Sequence, residues 1–206
     1  MTSMILIRHG ETDLAGMFCG HSNPDLNAAG EKQLASLAAE LAALGIRRIY
    51  SSDLQRASRT AAAIGLRTGI AVEFRTGLRE IHFGVWEGLT WEEIERRYPK
   101  EAELWLNRFP AYSPPGGEPY ADFVARVEAE FHLLLRETTD LTKASDLTQA
   151  VVTHRGVMQY ALTRFFGFSD AEAWRRTERH GVAIVATQVQ NYRDCLGDRK
   201  PEHAIG

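Results

Sequence analysis

Two short apolar segments, each followed at once by a histidine, most constrain the fold of this chain. The first runs from Met4 to Ile7 and leads into Arg8-His9-Gly10, and the second, Ala150-Val151-Val152-Thr153, leads into His154-Arg155-Gly156. Runs this short and apolar are typical of strands buried on both faces of a sheet. Because ligands of α/β proteins bind beyond the carboxyl ends of the strands, both histidines are candidate site residues.

The segments between these histidines alternate between strand-like and helix-like patterns. Asn27 can cap a helix predicted from about Ala28 to Leu44, whose leucines recur at helical spacing. Ser52-Asp53-Leu54-Gln55 has the form of a capping box and predicts a helix to about Gly65. Further strands are predicted at 48–50, 71–74 and 182–189, and further helices begin near 90, 120, 156 and 169. This alternation indicates an α/β layered domain.

Composition and charge exclude several classes of partner. The formal net charge of -3 and the pI near 6.2 give no reason to expect binding to nucleic acid or to an anionic membrane. Cys19 and Cys195 have neither disulfide-framework nor metal-ligand spacing, which favours a reducing compartment. With no transmembrane-length segment or signal peptide, we expect a cytoplasmic protein whose 206 residues form a single domain, with a polar tail at 191–206.

Five residues together meet the needs of phosphoryl transfer without a metal ion. Such a site needs an in-line nucleophile, fixed positive charge around the phosphoryl oxygens and a proton donor for the leaving group. Arginine suits the second task because its guanidinium is always charged and binds oxyanions with two donors. The candidates are His9 as nucleophile, Arg8 beside it, Arg56 in the first turn of a predicted helix, His154 after a buried strand and Glu80 in an irregular segment.

The same residues lie in segments that resemble the histidine phosphatase superfamily, also called the phosphoglycerate mutase-like family. Their order along the chain matches the family, and together they cover nearly its whole length. The segments are Arg8-His9-Gly10-Glu11-Thr12, Ser51-Ser52-Asp53-Leu54-Gln55-Arg56-Ala57, 78–88 around Glu80, Pro115-Gly116-Gly117-Glu118 and Val152-Thr153-His154-Arg155-Gly156. The resemblance implies a three-layer αβα sandwich with a mostly parallel central sheet and a small helical cap, at about 78–120.

The resemblance also implies the roles of the site residues. His9 would take the phosphoryl group, Arg8, Arg56 and His154 would hold its oxygens, and Glu80 would protonate the leaving alcohol and then activate water. His9 must be neutral to attack, whereas His154 works best as a cation, so their environments must separate their pKa values. The resemblance further implies a hydrogen bond between a ring nitrogen of His9 and a backbone carbonyl, and it implies no cofactor or metal.

The loop after His9 departs from the family pattern. Many members carry Asn six residues after the nucleophile, where this chain has Ala15. The missing phosphate contact would be replaced by hydroxyl or backbone groups nearby, and Arg155 is a further candidate contact. The candidate replacements are Thr12, Cys19, Gly20 and His21.

Two features resemble α-ribazole-phosphate phosphatases: a similarly shortened loop after the nucleophile and a Phe-Gly-x-Trp-Glu stretch, here at 83–87. From this resemblance we predict α-ribazole 5'-phosphate as the substrate. Trp86, Trp91 and Trp105 would either stack on its flat base or form the core of the cap. A broad-specificity or sugar-phosphate phosphatase is the main rival. A mutase is disfavoured because the mutases that this chain resembles carry a longer middle segment, whereas here the distance along the chain from Glu80 to His154 is short.

Two readings from other classes also remain open. A noncatalytic module that binds a phosphorylated ligand would usually lack some of the catalytic groups that this chain retains. A metal site built on His9 and His154, with His21 or His82, lacks metal-type spacing, and the nearby arginines would repel a cation. The expected partner is therefore a small phosphate ester, with a homodimer left open.

Overall fold

The structure, a computed structural model, describes residues 3–139 and 148–187, with side chains from 4 to 137 and from 149 to 187. The predicted polar tail at 191–206 and Cys195 lie outside the described residues. The elements are β1 (Ser3–Arg8), α1 (Ala28–Ala42), β2 (Ile46–Ser51), α2 (Gln55–Thr68), β3 (Val72–Phe74), α3 (Trp91–Arg97), α4 (Pro99–Arg108), α5 (Tyr120–Thr139), β4 (Thr148–Thr153), α6 (Arg155–Phe166), α7 (Asp170–Arg176) and β5 (Ala183–Thr187).

The described strands form one sheet in the order β3-β2-β4-β1-β5. All neighbours run parallel except β5, which pairs antiparallel with β1. In the pairing of β1 with β4, Met4 lies opposite Gln149 and Arg8 lies opposite Thr153. The carboxyl ends of these two strands therefore meet at the same edge, and His9 and His154 follow there.

The sheet is buried on both faces, as the apolar strands predict. Alternate residues of a strand point to opposite faces, so Met4 and Leu6 pack into one hydrophobic core while Ile5 and Ile7 pack into the other. Helices α1 and α2 cover the second face, and α5 and α6 cover the first. The predicted three-layer α/β fold with a mostly parallel sheet is confirmed.

A small helical cap is formed by residues that lie between β3 and α5 in the sequence. It comprises α3 and α4 and a third, separate cluster around the fully buried Trp86, with Ile94 and Ala102. Thr90 begins α3 through a reciprocal capping box with Glu93. Trp86 therefore forms the core of the cap, one of the two roles considered for the tryptophans. The division of residues 1–206 into one domain stays a prediction.

Of two predicted helix N-caps, the structure confirms one and contradicts the other. The side chain of Asn27 accepts hydrogen bonds from the amides of Ala29 and Gly30, which confirms it as the N-cap of α1. The capping box predicted at Ser52 is wrong, because α2 begins two residues later and Leu54 is its N-cap residue. Asn23 instead accepts from the first amide of α2, at Gln55, from the loop after His9.

Among residues 3–139 and 148–187, no helix is both long enough and apolar enough to cross a lipid bilayer.

The packing of α5 predicts a sharp contrast between two adjacent leucines. Leu134 is fully buried against the sheet, whereas Leu133 is 41% exposed on the same helix. Leu134→Ala should lower the free energy of unfolding by about 2–5 kcal/mol, because it leaves a cavity. Leu133→Ala is the matched control and should change it by less than about 1 kcal/mol. Urea unfolding followed by circular dichroism measures both, and equal losses would contradict the packing described.

Candidate active site

The pairing of β1 with β4 places the two histidines side by side. The amide of His9 donates to the carbonyl of Thr153, the last residue of β4, at 3.1 Å. The ring centroids of His9 and His154 are 5.0 Å apart, and both side chains are almost fully buried. Two residues more than 140 positions apart are therefore neighbours because two parallel strands end together.

The hydrogen bonds of His9 determine which of its ring nitrogens is free to attack. Its Nδ1 lies 2.7 Å from the carbonyl of Gly10, and its Nε2 lies 3.1 Å from the Nε of Arg56. A carbonyl only accepts and a guanidinium only donates, so Nδ1 carries the proton and Nε2 carries the lone pair. Burial lowers the pKa of His9 well below its ordinary value, and the charge of Arg56 lowers it further. His9 is therefore neutral, as the sequence predicts for a nucleophile.

Arg56 lies in the first turn of α2 and is fully buried. Besides His9, it donates to the backbone carbonyls of Ser22, Cys19 and Gly20 at 2.7, 3.1 and 2.7 Å. Its charge is thus solvated by dipoles rather than cancelled by a direct carboxylate partner. Burial lowers its pKa from a very high starting value, yet the nearby charge of Glu80 opposes that shift.

Glu80 lines the same cavity as His9 and lies in irregular backbone between β3 and α3. Its Oε1 accepts from the amide of Ile81 at 3.1 Å, and its Oε2 accepts from the amide of Gly156 at 2.9 Å. A Cβ atom at Gly156 would lie 2.5 Å from Oε1, so a larger residue there would displace the carboxylate of Glu80. Burial raises the pKa of Glu80, against the lowering effect of these hydrogen bonds and of Arg56. A raised pKa suits a group that gives up a proton.

His154 contacts Ser52 through its Nε2, at 2.9 Å from the hydroxyl oxygen. Its Nδ1 is buried and has no partner among the described residues. Burial lowers its pKa well below the ordinary value, and Arg56 and His9 add to this. The separation of pKa values predicted for the two histidines is therefore not found within the protein itself, because both rings are buried beside the same guanidinium.

Arg8 is fixed by the loop between α7 and β5. Its guanidinium donates to the carbonyls of Thr177 and Glu178 and lies 2.9 Å from the Nε2 of His180. Its Nε is buried without a partner among the described residues. Burial and Arg155 lower the pKa of Arg8 to about 10, so it remains a cation at neutral pH.

The loop after His9 is organised by Glu87. Its carboxylate accepts hydrogen bonds from the amides of Gly20, His21, Ser22 and Phe83, at 2.8–3.0 Å. Burial alone would raise the pKa of Glu87, but these hydrogen bonds outweigh it and lower the pKa. The carboxylate oxygens of Glu87 are therefore occupied by backbone amides, mostly those of the loop.

Of the four residues proposed to replace the missing asparagine, two line the cavity and two do not. Thr12 and Cys19 line the cavity beside His9, as Leu14 and Gly16 do on either side of Ala15. Gly20 and His21 do not line the cavity, because Glu87 occupies their amides and the His21 ring binds the carbonyl of Glu80.

The site opens into a cavity of about 740 Å³. We call the part of its lining around Arg8, His9 and Glu80 the charged end. The aromatic end is the part lined by rings that pack with the cap cluster, namely Phe18, Phe83, Trp91 and Trp105, and by their neighbours Phe109 and Tyr120. Phe123, Tyr160 and Trp174 line the cavity as well.

The arginines near the site differ in whether they line the cavity. Arg155 lines the cavity, where its guanidinium carbon lies 3.8 Å above the ring of Trp174 and its buried Nε has no partner among the described residues. Arg79 does not line it, because it forms a two-pronged ion pair with Asp53. Arg97 is exposed and forms an ion pair with Glu93 along the surface of α3.

Within residues 3–139 and 148–187, no group of three histidine, cysteine, aspartate or glutamate side chains is arranged to hold a metal ion. The polar atoms near His9 that lack a partner in the described chain are nitrogen atoms, two of them N–H donors without an acceptor. Arg8 Nε and Arg155 Nε are buried N–H groups without a protein acceptor in the described chain, and His154 Nδ1 is a third nitrogen without a partner. Buried polar groups ordinarily have partners, so this end of the cavity is suited to an anion.

Two residues at the site escape the sequence analysis. His180 lines the cavity with its ring centroid 5.4 Å from that of His9, but no motif marks it. The role of Glu87 in holding the loop is missed as well, although Glu87 lies in the segment 78–88 around Glu80. A buried carboxylate that binds backbone amides leaves no pattern in the sequence, because the amides belong to every residue type.

Comparison with known proteins now identifies the family. Residues 4–193 match the family described as "Histidine phosphatase superfamily (branch 1)", and the chain belongs to it. The chain is 34% identical over 158 residues to glucosyl-3-phosphoglycerate phosphatase of Mycolicibacterium vanbaalenii, covering 75% of this chain and 70% of that protein. It is 30% identical over 176 residues to phosphoserine phosphatase 1 of Hydrogenobacter thermophilus, covering 84% and 81%.

A solved structure is similar over nearly the whole chain. The α-ribazole phosphatase from Shigella flexneri matches with a TM-score of 0.77 at 25% identity, covering 97% of this chain and 100% of that one. Other relatives are longer: the chain spans 35% of the length of the mycobacterial proteins that it matches at 39% identity. The three named proteins carry three different substrates in their names, so the family alone does not determine the substrate.

The role of Glu87 can be tested through the loop that it holds. Glu87→Gln removes an acceptor oxygen and turns an amide NH₂ toward backbone N–H groups, so the amides of Gly20, His21 and Ser22 should exchange with deuterium at least about tenfold faster. Glu92→Gln, on the exposed side of α3, is the control and should leave their exchange unchanged. Unaltered protection of these amides in Glu87→Gln would contradict the assignment.

Proposed function

We propose that this protein is a metal-independent phosphomonoesterase in which His9 carries the phosphoryl group between substrate and water. The observation that carries the proposal is the fixed tautomer of His9, whose Nε2 lone pair is held beside Arg56 at the charged end of the cavity. A neutral imidazole with a positioned lone pair is a nucleophile, and the partnerless donors around it suit an oxyanion.

The reaction proceeds in two balanced steps. In the first, His9 Nε2 attacks phosphorus, the bond from phosphorus to the ester oxygen breaks, and Glu80 gives its proton to the leaving alcohol. In the second, Glu80 takes a proton from water as the water oxygen attacks phosphorus, and the bond to Nε2 breaks. Inorganic phosphate leaves, and both His9 and Glu80 return to their starting states.

The surrounding cations stabilise the charge on the phosphoryl oxygens. When Nε2 uses its lone pair to attack, the Nε–H of Arg56 loses its acceptor and becomes available to a phosphoryl oxygen. Arg8, Arg155 and His154 supply the other donors. A phosphate dianion beside His154 would raise its pKa, which opposes the effect of burial and favours the cationic form predicted from the sequence.

For the substrate, we propose α-ribazole 5'-phosphate. The aromatic end of the cavity supports a leaving group with a flat apolar ring, because rings stack favourably on Trp105, Phe109 and their neighbours. The similarity to an α-ribazole phosphatase structure also supports it. The alternative is a sugar-phosphate or broad-specificity phosphatase, which the similarity to glucosyl-3-phosphoglycerate phosphatase supports. We further propose a small phosphate ester as the partner, and action in the cytoplasm.

Removal of the nucleophile should abolish hydrolysis. His9→Ala should lower kcat for p-nitrophenyl phosphate by at least about a thousandfold, because it removes the Nε2 atom that forms the covalent intermediate. The unchanged protein should keep its activity in EDTA. His82→Ala, which replaces a histidine outside the cavity, is the control. Retained activity in His9→Ala, or loss in EDTA with recovery on adding zinc, would contradict the mechanism.

The proposed substrate predicts that the enzyme is selective when a panel of phosphate esters is compared. kcat/KM for α-ribazole 5'-phosphate should exceed that for sugar phosphates and nucleotides, and Trp105→Ala should lower the preference about tenfold by removing a stacking surface. Phe74→Ala, an exposed aromatic on β3 away from the cavity, is the matched control. A flat profile across the esters, or a Trp105→Ala loss shared equally by all of them, favours the broad-specificity alternative.

A further inference from the structure

His180 is placed at the charged end of the cavity by the loop between α7 and β5. This loop is tied to the end of β1 by two backbone hydrogen bonds, from Gly181 to the carbonyl of His9 and from Arg8 to the carbonyl of Val182, each at 3.0 Å. The ring is half-buried, lines the cavity and lies with its centroid 5.4 Å from that of His9. Its position is therefore determined by the same strand that positions the nucleophile.

The contact with Arg8 determines the tautomer of His180. The Nε2 of His180 lies 2.9 Å from a terminal guanidinium nitrogen of Arg8. A guanidinium has donors only, so Nε2 must accept and cannot carry the proton. In the neutral ring the proton is then on Nδ1. Burial lowers the pKa of His180 to about 4, with Arg8 as the next cause, so the neutral ring is the form present near pH 7.

The Nδ1–H group has no hydrogen-bond partner among residues 3–139 and 148–187. The ring borders the cavity, so an oxygen of a bound ligand is an acceptor within its reach. Arg8 Nε, on the residue that His180 contacts, likewise lacks an acceptor in the described chain. Two neighbouring donors from two different elements are thus left for one anion.

We propose that His180 is a phosphate-binding residue, which donates a hydrogen bond from Nδ1 to a phosphoryl oxygen while its Nε2 orients Arg8. This inference rests on the proposed function and deepens it. It also offers a source for the contact that Ala15 cannot make, since Ala15 has no polar side-chain atom and the amides of Gly20 and His21 are occupied by Glu87. The donor comes from the C-terminal part of the described chain instead of the loop after His9.

Two substitutions separate the two nitrogens of His180. The side-chain amide of Asn occupies the position of Nδ1, and that of Gln reaches the position of Nε2. His180→Asn therefore keeps a donor for the phosphate but loses the acceptor for Arg8, whereas His180→Gln does the reverse. His180→Ala removes both, and His82→Ala is the control outside the cavity.

The experiment measures the Kd of inorganic phosphate at pH 7 by isothermal titration calorimetry, with thermal melts to establish that each variant is folded. His180→Ala should bind phosphate about 10–100-fold more weakly, which is the loss of one hydrogen bond to a charged group. His180→Gln should be nearly as weak, and His180→Asn should stay within about threefold of the unchanged protein.

The order of the variants decides the inference. Tighter binding by His180→Asn than by His180→Gln supports the Nδ1 contact. The reverse order would mean that His180 acts only by orienting Arg8, and equal binding by all variants would mean that it takes no part; either result overturns the inference while leaving the phosphatase proposal intact. If the unchanged protein binds no phosphate and hydrolyses no ester, the proposed function fails and this inference with it.

Discussion

The parallel pairing of Ser3–Arg8 with Thr148–Thr153 is the constraint on which the site depends. It brings the carboxyl ends of two central strands together and joins His9 to Thr153 by a backbone hydrogen bond. Both strands are buried on both faces between helical layers, so neither can shift without disrupting two hydrophobic cores. The nucleophile and its partner histidine are thus held in place by two strands whose apolar residues are fully buried, while the cap and the loops shape the rest of the cavity.

Electrostatics at this edge follow from burying cations without direct carboxylate partners. Arg56 is surrounded by carbonyl dipoles, and Arg8 likewise donates to two carbonyls of the loop between α7 and β5. An unneutralised cation in a buried site is costly. Burial lowers the pKa of both neighbouring histidines, and the charge of Arg56 lowers it further. An anion that enters the cavity relieves this repulsion. The same arrangement therefore keeps His9 neutral as a nucleophile and attracts the phosphate that it attacks.

Much of this arrangement is predictable from sequence, and the exceptions share a cause. Short apolar strands and helical periodicity predict the α/β layers, and strand ends predict where His9 and His154 lie. Residues within ordered motifs, such as Arg56 and Glu80, are predictable from the family resemblance. His180 is not, because it reaches the site through an antiparallel edge strand and a loop without a motif. The cap of α2 is mispredicted for a similar reason: Ser52 contacts His154, and Asn23 supplies the cap from a distant loop.

The central claim is that the phosphoryl group is covalently bound to His9 during turnover. The most direct measurement is to quench the protein with strong base during hydrolysis of a phosphate ester and to locate the phosphoryl group by peptide mass spectrometry. Phosphohistidine survives base and is lost in acid. The account predicts a base-stable, acid-labile phosphoryl group on the peptide that contains His9, and on no peptide that contains His154. Active protein with no phosphorylated His9 at any time of quenching, or with the group on another residue, would contradict it.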